Sequence, residues 1–178
     1  IGSEQGVSGF LHPEGVYDDP HGGQLREAIY QRLRFHIQFQ NELNLFGDVD
    51  HHTKFSVNVC SGKLQEVKFF HLANLFSVAT VDACFQHMGG GVVGGIKDDR
   101  NNWNVTGHRD RIIVIDETIL NLFARLYDEE GTPTLYARLP AVHSQQVVDV
   151  LRKFAAHKKR LGDLAGDYFS TEMWHETN

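Results

Sequence analysis

The segment 45–59, LFGDVDHHTKFSVNV, carries residue types that often do chemistry in proteins. Two acids, Asp48 and Asp50, precede two adjacent histidines, His51 and His52. Carboxylates and imidazoles on a flexible loop can wrap a metal ion, and such a loop could form the centre of a small metal-dependent hydrolase. The same residue types also suit an ordinary polar turn, which needs no ligand. Because no histidine pair has the HExxH or HxH spacing, the residues alone favour the turn.

A second polar segment, TGHRDRI at 106–112, lies between a polar loop and an apolar run. It brings together His108, Arg109 and Arg111, and the planar guanidinium group of arginine suits phosphates and base edges. This pattern predicts a contact with DNA. The alternative is a surface network in which Asp110 pairs with the arginines.

A third candidate is the segment RKFAAHKKR at 152–160, which lies at the end of an amphipathic pattern. Its five basic residues, with no acid among them, are Arg152, Lys153, Lys158, Lys159 and Arg160. Such a patch could face DNA. Basic residues near the C-terminus of a helix are also favoured by the helix dipole, so a solvated helix end explains the pattern at least as well.

Nucleophilic and phosphate-binding chemistry has less support. The two cysteines, Cys60 and Cys84, have no CxxC spacing, which argues against a thiolate zinc site and against a disulfide scaffold. Cys84 lies on an apolar helical face, where packing is the expected role. The chain has no GxSxG motif, and its run GGGVVGG lacks the Lys-Ser/Thr pair of a phosphate-binding loop. This cysteine usage favours a reducing, cytoplasmic setting.

The composition limits the class of protein. The chain has 178 residues, of which 41% are hydrophobic, enough for a packed core in one domain or in one domain with a subdomain. Its formal net charge of −6 argues against a protein that coats nucleic acid through bulk positive charge, so a DNA contact must come from local basic patches. No apolar run approaches the ~20 residues that span a bilayer, which predicts no membrane partner.

Hydrophobic periodicity predicts the elements that position these residues. Strands are predicted at 7–11, 35–39, 55–59 and 67–72, with one helix from about residue 25 after the first strand. The strands at 35–39 and 55–59 alternate between apolar and polar residues, as half-buried strands do. The loop that contains the histidine pair connects them.

The second part of the chain is predicted to be mostly helical. Ser77 or Thr80 is expected to cap a helix with an apolar face of Val78, Val81, Cys84, Phe85 and Met88. A loop at 89–107 and a strand at 112–115 follow, and Asp116 is expected to cap the next helix. The last helix is predicted from about Ser144 to Gly162, burying Val147, Val148, Leu151, Phe154 and Ala155. The fold class is therefore α/β, with a mixed, mostly helical second part.

The order of motifs resembles one known family. The strings GVSGFLHPEGVYDDPHGGQLREAIYQRL, FHIQFQNELNLF and HHTKFSVNV are similar to the later half of the catalytic domain of adenine-N6 DNA methyltransferases, the large single-chain kind associated with restriction-modification systems. In that family a strand ends in a Pro-Ser/Glu-Gly-type turn. A helix with a Leu-Arg pair, a strand, an aromatic-bearing loop and a final strand of the sheet follow. The matching positions are Pro13 to Gly15, Leu25 and Arg26, Phe35 to Asn41, Phe46, and Lys54 to Val59.

The remaining strings, HLANLFSVATVDACF, GIKDD, NWNVTGHRDRI and YFSTEMWHETN, resemble the region that follows the catalytic core in the same proteins. The resemblance therefore implies a division near residue 72. Residues 1–72 would form the end of a methyltransferase-like, Rossmann-like sheet. Residues 73–178 would form a linker and the start of a DNA-recognition region.

The resemblance also implies roles for individual residues. Members of this family flip the target adenine out of the duplex, stack it between aromatic rings, and bind its amino group through an Asn/Asp-Pro-Pro-Tyr/Phe motif beside S-adenosylmethionine. That motif is absent from the chain and is expected upstream of Ile1 together with the cofactor loop, so the chain by itself is expected to hold no cofactor and to transfer no methyl group. Phe46 is the candidate stacking ring, with His51, His52 and Lys54 beside the DNA. A plain core role for Phe46 is the alternative.

The expected partners are double-stranded DNA and the remainder of the full-length chain. Two other functions stay open on the residues alone. One is a stand-alone interaction or scaffolding module whose motif matches are accidental. The other is the metal-dependent hydrolase built on the segment from Asp48 to His52.

Overall fold

The computed structural model describes residues 6–159, 161–164, 166–167 and 169, which form an α/β fold with one five-stranded sheet. The strands are β1 (Ser8–Pro13), β2 (Leu33–Gln40), β3 (Lys54–Cys60), β4 (Lys68–Leu75) and β5 (Ile113–Asp116). The helices are α1 (Gly15–Asp18), α2 (Gly23–Tyr30), α3 (Ala79–Gln86), α4 (Glu117–Tyr127) and α5 (Gln145–Ala156). The predicted α/β class is confirmed. Within the described part of the chain, no helix is long and apolar enough to cross a membrane.

The sheet is mixed, with the strand order β1-β3-β2-β4-β5. Strand β3 lies between β1 and β2 and is antiparallel to both, whereas β2 and β4 are parallel. Strands β1, β2 and β4 therefore run in the same direction, and their C-terminal ends share one edge, which we call the carboxyl edge. Because β5 is antiparallel to β4, the beginning of β5 lies at this edge as well.

One face of the sheet is polar and yet buried. His36 and Gln38 of β2 lie opposite Asn58 and Ser56 of β3, and all four side chains are at most 2% exposed. The prediction of half-buried strands is therefore wrong for β2 and β3. The reason is that the polar face is covered: the Tyr17 ring of α1 packs edge-on against the His36 ring, with 4.3 Å between the centroids, and the Tyr17 hydroxyl donates to the Asn58 side chain at 2.6 Å. A sheet covered on both faces must satisfy its polar groups internally.

Two hydrophobic clusters hold the elements together. The larger one lies on the polar face and joins Tyr30 of α2 and Phe69 of β4 to Phe123 of α4 and Val148 of α5. The smaller one lies on the other face and includes Cys84, which confirms that this thiol packs in a core. The division predicted near residue 72 falls inside β4, and the larger cluster takes residues from both sides of it.

Helix boundaries differ from prediction where capping was expected. The N-cap of α3 is Val78, and neither Ser77 nor Thr80 caps the helix through its side chain. The Thr80 hydroxyl donates to the Val105 carbonyl at 2.8 Å instead. Helix α3 ends at Gln86, and Met88, expected on its apolar face, is 98% exposed. Val78 and Phe85 of the same predicted face are exposed too.

Of the two later helices, α4 begins as predicted, whereas α5 is shorter than predicted. The cap of α4 is confirmed, since the Asp116 carboxylate accepts the Ile119 backbone N–H at 2.9 Å. Helix α5 ends at Ala156, six residues before the predicted Gly162. Phe154, expected inside, is 63% exposed, and Val147 is also exposed, whereas Val148 and Ala155 are buried as predicted.

Candidate functional site at the carboxyl edge

The connection between β2 and β3 lies at the carboxyl edge and is organised by one buried side chain. It begins with a 3-10 turn, Asn41–Leu43, after which Asn44 adopts a positive φ of 52°, a conformation that asparagine tolerates. The Asn41 amide oxygen accepts the Phe46 backbone N–H at 2.9 Å. Its amide nitrogen donates to the carbonyls of Phe46 at 2.9 Å and Val49 at 2.8 Å. We call residues 41–53 the edge loop. Its backbone is held in place by hydrogen bonds to the buried side chain of Asn41.

Phe46 is held on the edge loop with part of its ring in solvent. The ring packs edge-on against Phe55 of β3, with 5.1 Å between the centroids, and Phe55 stacks on Phe39 of β2 at 5.6 Å. The residue is 41% exposed. Phe46 therefore packs against one ring of the smaller hydrophobic cluster and is otherwise partly exposed, so a flat partner could stack on its exposed part.

Glu42 and the histidine pair form a second feature of the edge loop. The Nδ1 atoms of His51 and His52 lie 3.2 and 3.1 Å from the two carboxylate oxygens of Glu42. Gln40 donates a further hydrogen bond to this carboxylate at 2.9 Å. Burial raises the pKa of Glu42, but the hydrogen bonds from both histidines outweigh it, so the pKa lies below its ordinary value.

The acids of the predicted metal cradle do not join the histidines. The Asp50 carboxylate accepts the His52 backbone N–H at 2.8 Å, which is a turn contact, and Asp48 is exposed. Among the described residues, the only group of three or more side chains that could hold a metal ion is Glu42, His51 and His52, whose ligand atoms lie within 4.8 Å of one another. The predicted set from Asp48 to His52 is therefore replaced by one in which Glu42 supplies the carboxylate.

Three buried polar side chains form a hydrogen-bonded row across the sheet, from β4 through β2 to the residue after β1. The Nδ1 atoms of His71 on β4 and His36 on β2 lie 2.9 Å apart, and the other ring nitrogen of His36 lies 3.2 Å from the carboxylate of Glu14. Because two imidazole nitrogens can share only one hydrogen, one Nδ1 atom donates and the other accepts. Glu14 lies between β1 and α1, so this row of side chains ends at the carboxyl edge.

Burial and hydrogen bonding together shift the pKa values of His71 and Glu14. It lowers the pKa of His71 well below its ordinary value, and the neighbouring His36 lowers it further. Burial raises the pKa of Glu14, but the hydrogen bond and charge of His36, with help from Ser56, bring it below its ordinary value. We therefore expect a neutral His71 and an ionised Glu14 at neutral pH.

Lys54 and the segment 106–112 also lie at the carboxyl edge, with different exposure. Lys54 begins β3 with an exposed side chain, and its carbonyl accepts the Glu14 backbone N–H at 3.4 Å. Arg109 is exposed as well. Both remain accessible to a partner.

Arg111 and His108 do not fit the predicted DNA contact. Arg111 is 2% exposed, and its guanidinium donates to the backbone carbonyls of Thr106, Ala73 and Asn74. Burial lowers its pKa. His108 is also buried: its Nδ1 accepts the Asp110 backbone N–H, and its Nε2 lies 3.0 Å from a backbone carbonyl in the glycine run. Arg111 and His108 thus hold the strand end in place.

The predicted surface network of Asp110 is replaced by another contact. The Asp110 carboxylate accepts a hydrogen bond of 2.6 Å from the side chain of Gln146 on α5. This contact fixes the start of α5 near the carboxyl edge. The network that the sequence suggested between this acid and the arginines is not formed within the described residues.

The basic segment lies at the other end of α5. Arg152 pairs with Asp149 at 2.6 Å on the surface, and Lys153, Lys158 and Lys159 are exposed, while Arg160 lies outside the described residues. Helix α5 has 12 residues, or about 18 Å at the usual helical rise. The structure therefore does not bring the basic segment together with the edge loop.

The free side of β1 forms a further surface. Strand β1 pairs only with β3 in the described sheet, and Phe10 and Leu11, whose side chains point to opposite faces, are 56% and 54% exposed. A groove of about 460 Å³ lies beside it, lined by residues that include Phe10, Tyr17 and Ile29. Apolar groups thus line an unpaired strand edge.

Comparison of the chain with protein-family models, with curated proteins and with solved structures gave no match.

Proposed function

We propose that this chain is part of an S-adenosylmethionine-dependent DNA adenine-N6 methyltransferase of the restriction-modification type, in which the edge loop borders the pocket of the flipped target base. The observation that carries the proposal is the partly exposed ring of Phe46, which a hydrogen-bonded loop holds at the carboxyl edge of an α/β sheet. In open α/β sheets, ligands bind outside the carboxyl ends of the strands. A base stacked on such a ring would gain about 1–3 kcal/mol.

The order of elements supports the proposal. Strand β1 ends in the Pro-Glu-Gly turn at 13–15, α2 carries the Leu-Arg pair, and the loop with Phe46 connects β2 to β3. The adenine-N6 DNA methyltransferases that this sequence resembles have the same order of strand, turn, helix, strand, loop and strand at the end of their catalytic sheet. Arg26 of the pair is fully buried and donates to the carbonyls of Val16 and Tyr136, so it fixes α2 to the segment that follows β1.

The unpaired edge of β1 supports a sheet that continues beyond this chain. Exposed apolar residues on an unpaired strand are an aggregation hazard that proteins usually cover. Under the proposal, the remainder of the full-length chain covers this edge and supplies the cofactor loop and the Asn/Asp-Pro-Pro-Tyr/Phe motif. S-adenosylmethionine would be bound by that part, and the chain described here would contribute the base-facing loop and DNA contacts.

The proposed DNA contacts at the carboxyl edge are the exposed residues Lys54, His51, His52 and Arg109. The basic segment at the end of α5 would contact DNA at a separate place. A labelled duplex titrated at several salt concentrations tests them, since each lost phosphate contact reduces the salt slope by about one. Lys54→Met is expected to reduce the slope by about one. Lys63→Met, a matched change of an exposed lysine between β3 and β4, is expected to leave it unchanged.

The alternatives predict other results. Binding that is undetectable or independent of salt would contradict the DNA role and favour a stand-alone interaction module, for which the β1 edge offers a surface. Equal slopes for the Lys54→Met and Lys63→Met variants would move the contact away from the carboxyl edge and contradict the proposed orientation.

A further inference from the structure

The Glu42 carboxylate is fixed before any ligand arrives. Glu42 lies in the 3-10 turn at the start of the edge loop, and its side chain is only 9% exposed. The Gln40 amide donates to one of its oxygens at 2.9 Å, and the Nδ1 atoms of both histidines lie within 3.2 Å of its two oxygens. The carboxylate is therefore oriented by its neighbours, with its two oxygens beside the two imidazole rings.

The two imidazoles reach the same carboxylate because the edge loop turns back on itself. His51 and His52 follow Glu42 by nine and ten residues, and the buried Asn41 side chain fixes the intervening backbone. The histidine rings lie 3.7 Å apart between centroids. Three donor groups from two ends of one loop thus converge without a rearrangement of the fold.

The separations fit a small coordination sphere. Zinc bonds of about 2.0–2.2 Å place neighbouring ligand atoms of a tetrahedral centre about 3.3–3.6 Å apart. The two Nδ1 atoms lie 3.2 and 3.1 Å from the oxygens of Glu42. The three ligand atoms lie within 4.8 Å of one another, so a small rotation of the exposed rings would close the set.

We propose that Glu42, His51 and His52 form a binding site for a divalent transition-metal ion such as Zn²⁺. Two imidazoles and one carboxylate form a donor set that suits zinc and its neighbours better than Mg²⁺ or Ca²⁺, which prefer oxygen ligands. The side chains of His51 and His52 are 53% and 69% exposed, which leaves the remaining coordination positions to water or to an anionic ligand. The site does not depend on the proposed DNA role.

Coordination through Nδ1 requires each imidazole to carry its hydrogen on Nε2. Because both rings are exposed, water can hydrogen-bond to that hydrogen, and the exchange of tautomers needs no change in the fold. The ion would then replace two hydrogen bonds with three ligand bonds. The backbone of the edge loop, held by Asn41, would stay in place.

The site is tested with the untagged chain and Zn²⁺ in competition with a chromophoric chelator. We expect one equivalent of Zn²⁺ to bind, and Glu42→Gln, His51→Ala and His52→Ala each to weaken the affinity at least about tenfold. His21→Ala, an exposed histidine outside the edge loop, and Asp48→Asn, an exposed acid within it, are matched controls and should leave the affinity unchanged. Co²⁺ in place of Zn²⁺ should give the visible absorption of tetrahedral coordination in the wild type and in both control variants, but not in Glu42→Gln, His51→Ala or His52→Ala.

Two outcomes would overturn the proposal. One is the absence of stoichiometric Zn²⁺ binding to the wild-type chain. The other is unchanged affinity in Glu42→Gln together with the His51→Ala/His52→Ala double variant, since another group would then hold the ion. Equal urea midpoints of wild type and variants show that lost binding does not result from unfolding, and the exposed positions of both rings favour that result.

Discussion

The side chain of Asn41 forms hydrogen bonds with both backbone groups of Phe46: its oxygen accepts the N–H at 2.9 Å, and its nitrogen donates to the carbonyl at 2.9 Å. The side-chain amide thus satisfies the backbone N–H and C=O of Phe46, as a neighbouring strand would in a sheet. Because Asn41 is fully buried and Phe46 is 41% exposed, the bonds connect the interior to the surface ring. The position of the ring is therefore set by a residue that a ligand cannot reach.

Replacement of Asn41 by alanine should loosen the edge loop. The backbone groups of Phe46 and the Val49 carbonyl would lose their partner, and a buried group left unsatisfied costs about 1–3 kcal/mol. We expect Asn41→Ala to lower the free energy of unfolding by about that amount in urea, and to expose residues 44–53 to proteolysis. Asp48→Ala, on the surface of the same loop, should change the free energy of unfolding by less than about 0.5 kcal/mol. Equal effects of the two variants would contradict this role of Asn41.

Arg26 should not tolerate even lysine. Arg26 is fully buried: its Nη1 donates to the carbonyls of Val16 and Asp19, and its Nε and Nη2 both donate to the carbonyl of Tyr136. A lysine ammonium cannot reproduce this fork. We expect Arg26→Lys to lower the free energy of unfolding by about 2–3 kcal/mol, measured in urea. Arg32→Lys, whose side chain makes one long contact of 3.5 Å at the surface, is the matched control and should stay close to wild type.

The buried His71 should make the protein less stable in mild acid. Its pKa lies well below the ordinary value of 6.5 because of burial and of the neighbouring His36. Below about pH 6.5 the unfolded chain therefore binds a proton that the folded chain does not. The free energy of unfolding should fall by up to about 1.4 kcal/mol per pH unit until the folded pKa is reached.

Urea denaturation between pH 7.5 and about pH 5 measures this slope, over the range that the ordinary pKa of histidine sets. His71→Gln should reduce the slope, whereas His21→Ala on the surface should not. Some slope should remain, because burial also lowers the pKa of His143. The stabilising contribution of Glu14 is complete above its ordinary pKa of 4.5 and is lost only as the pH falls through its lower folded value, so it acts in a separate range. An unchanged slope in His71→Gln would contradict the assignment.

The sequence predicts elements better than it predicts which surfaces those elements cover. Alternation located β2 and β3, and the Asp116 cap was found because its contact with Ile119 is local. The burial of His36 was not predictable, because it depends on the Tyr17 ring of α1, which is not a neighbour of β2 in the sequence. Strand order likewise depends on contacts that no local pattern encodes.

The candidate site shows the same limit. The histidine pair and Phe46 stand out in the sequence because of their types, whereas Glu42 is one acid in the string QNELNLF with no periodic signal. It joins the site only because Asn41 closes the loop. Arg111 is predicted to be a surface cation because its neighbours in the sequence are polar. In the structure it is buried, and two of the carbonyls that accept its hydrogen bonds belong to β4, far away in the sequence.

The proposed role of Phe46 is tested most directly by comparing its effect on two duplexes, one with a single extrahelical adenine and one fully paired. We expect Phe46→Ala to weaken binding of the extrahelical duplex by about 1–3 kcal/mol, or about 5- to 150-fold, and to leave binding of the paired duplex unchanged. Phe46→Tyr keeps the ring and should keep the preference. Wild-type binding that does not distinguish the two duplexes, or an equal loss for both in Phe46→Ala, would contradict the stacking role.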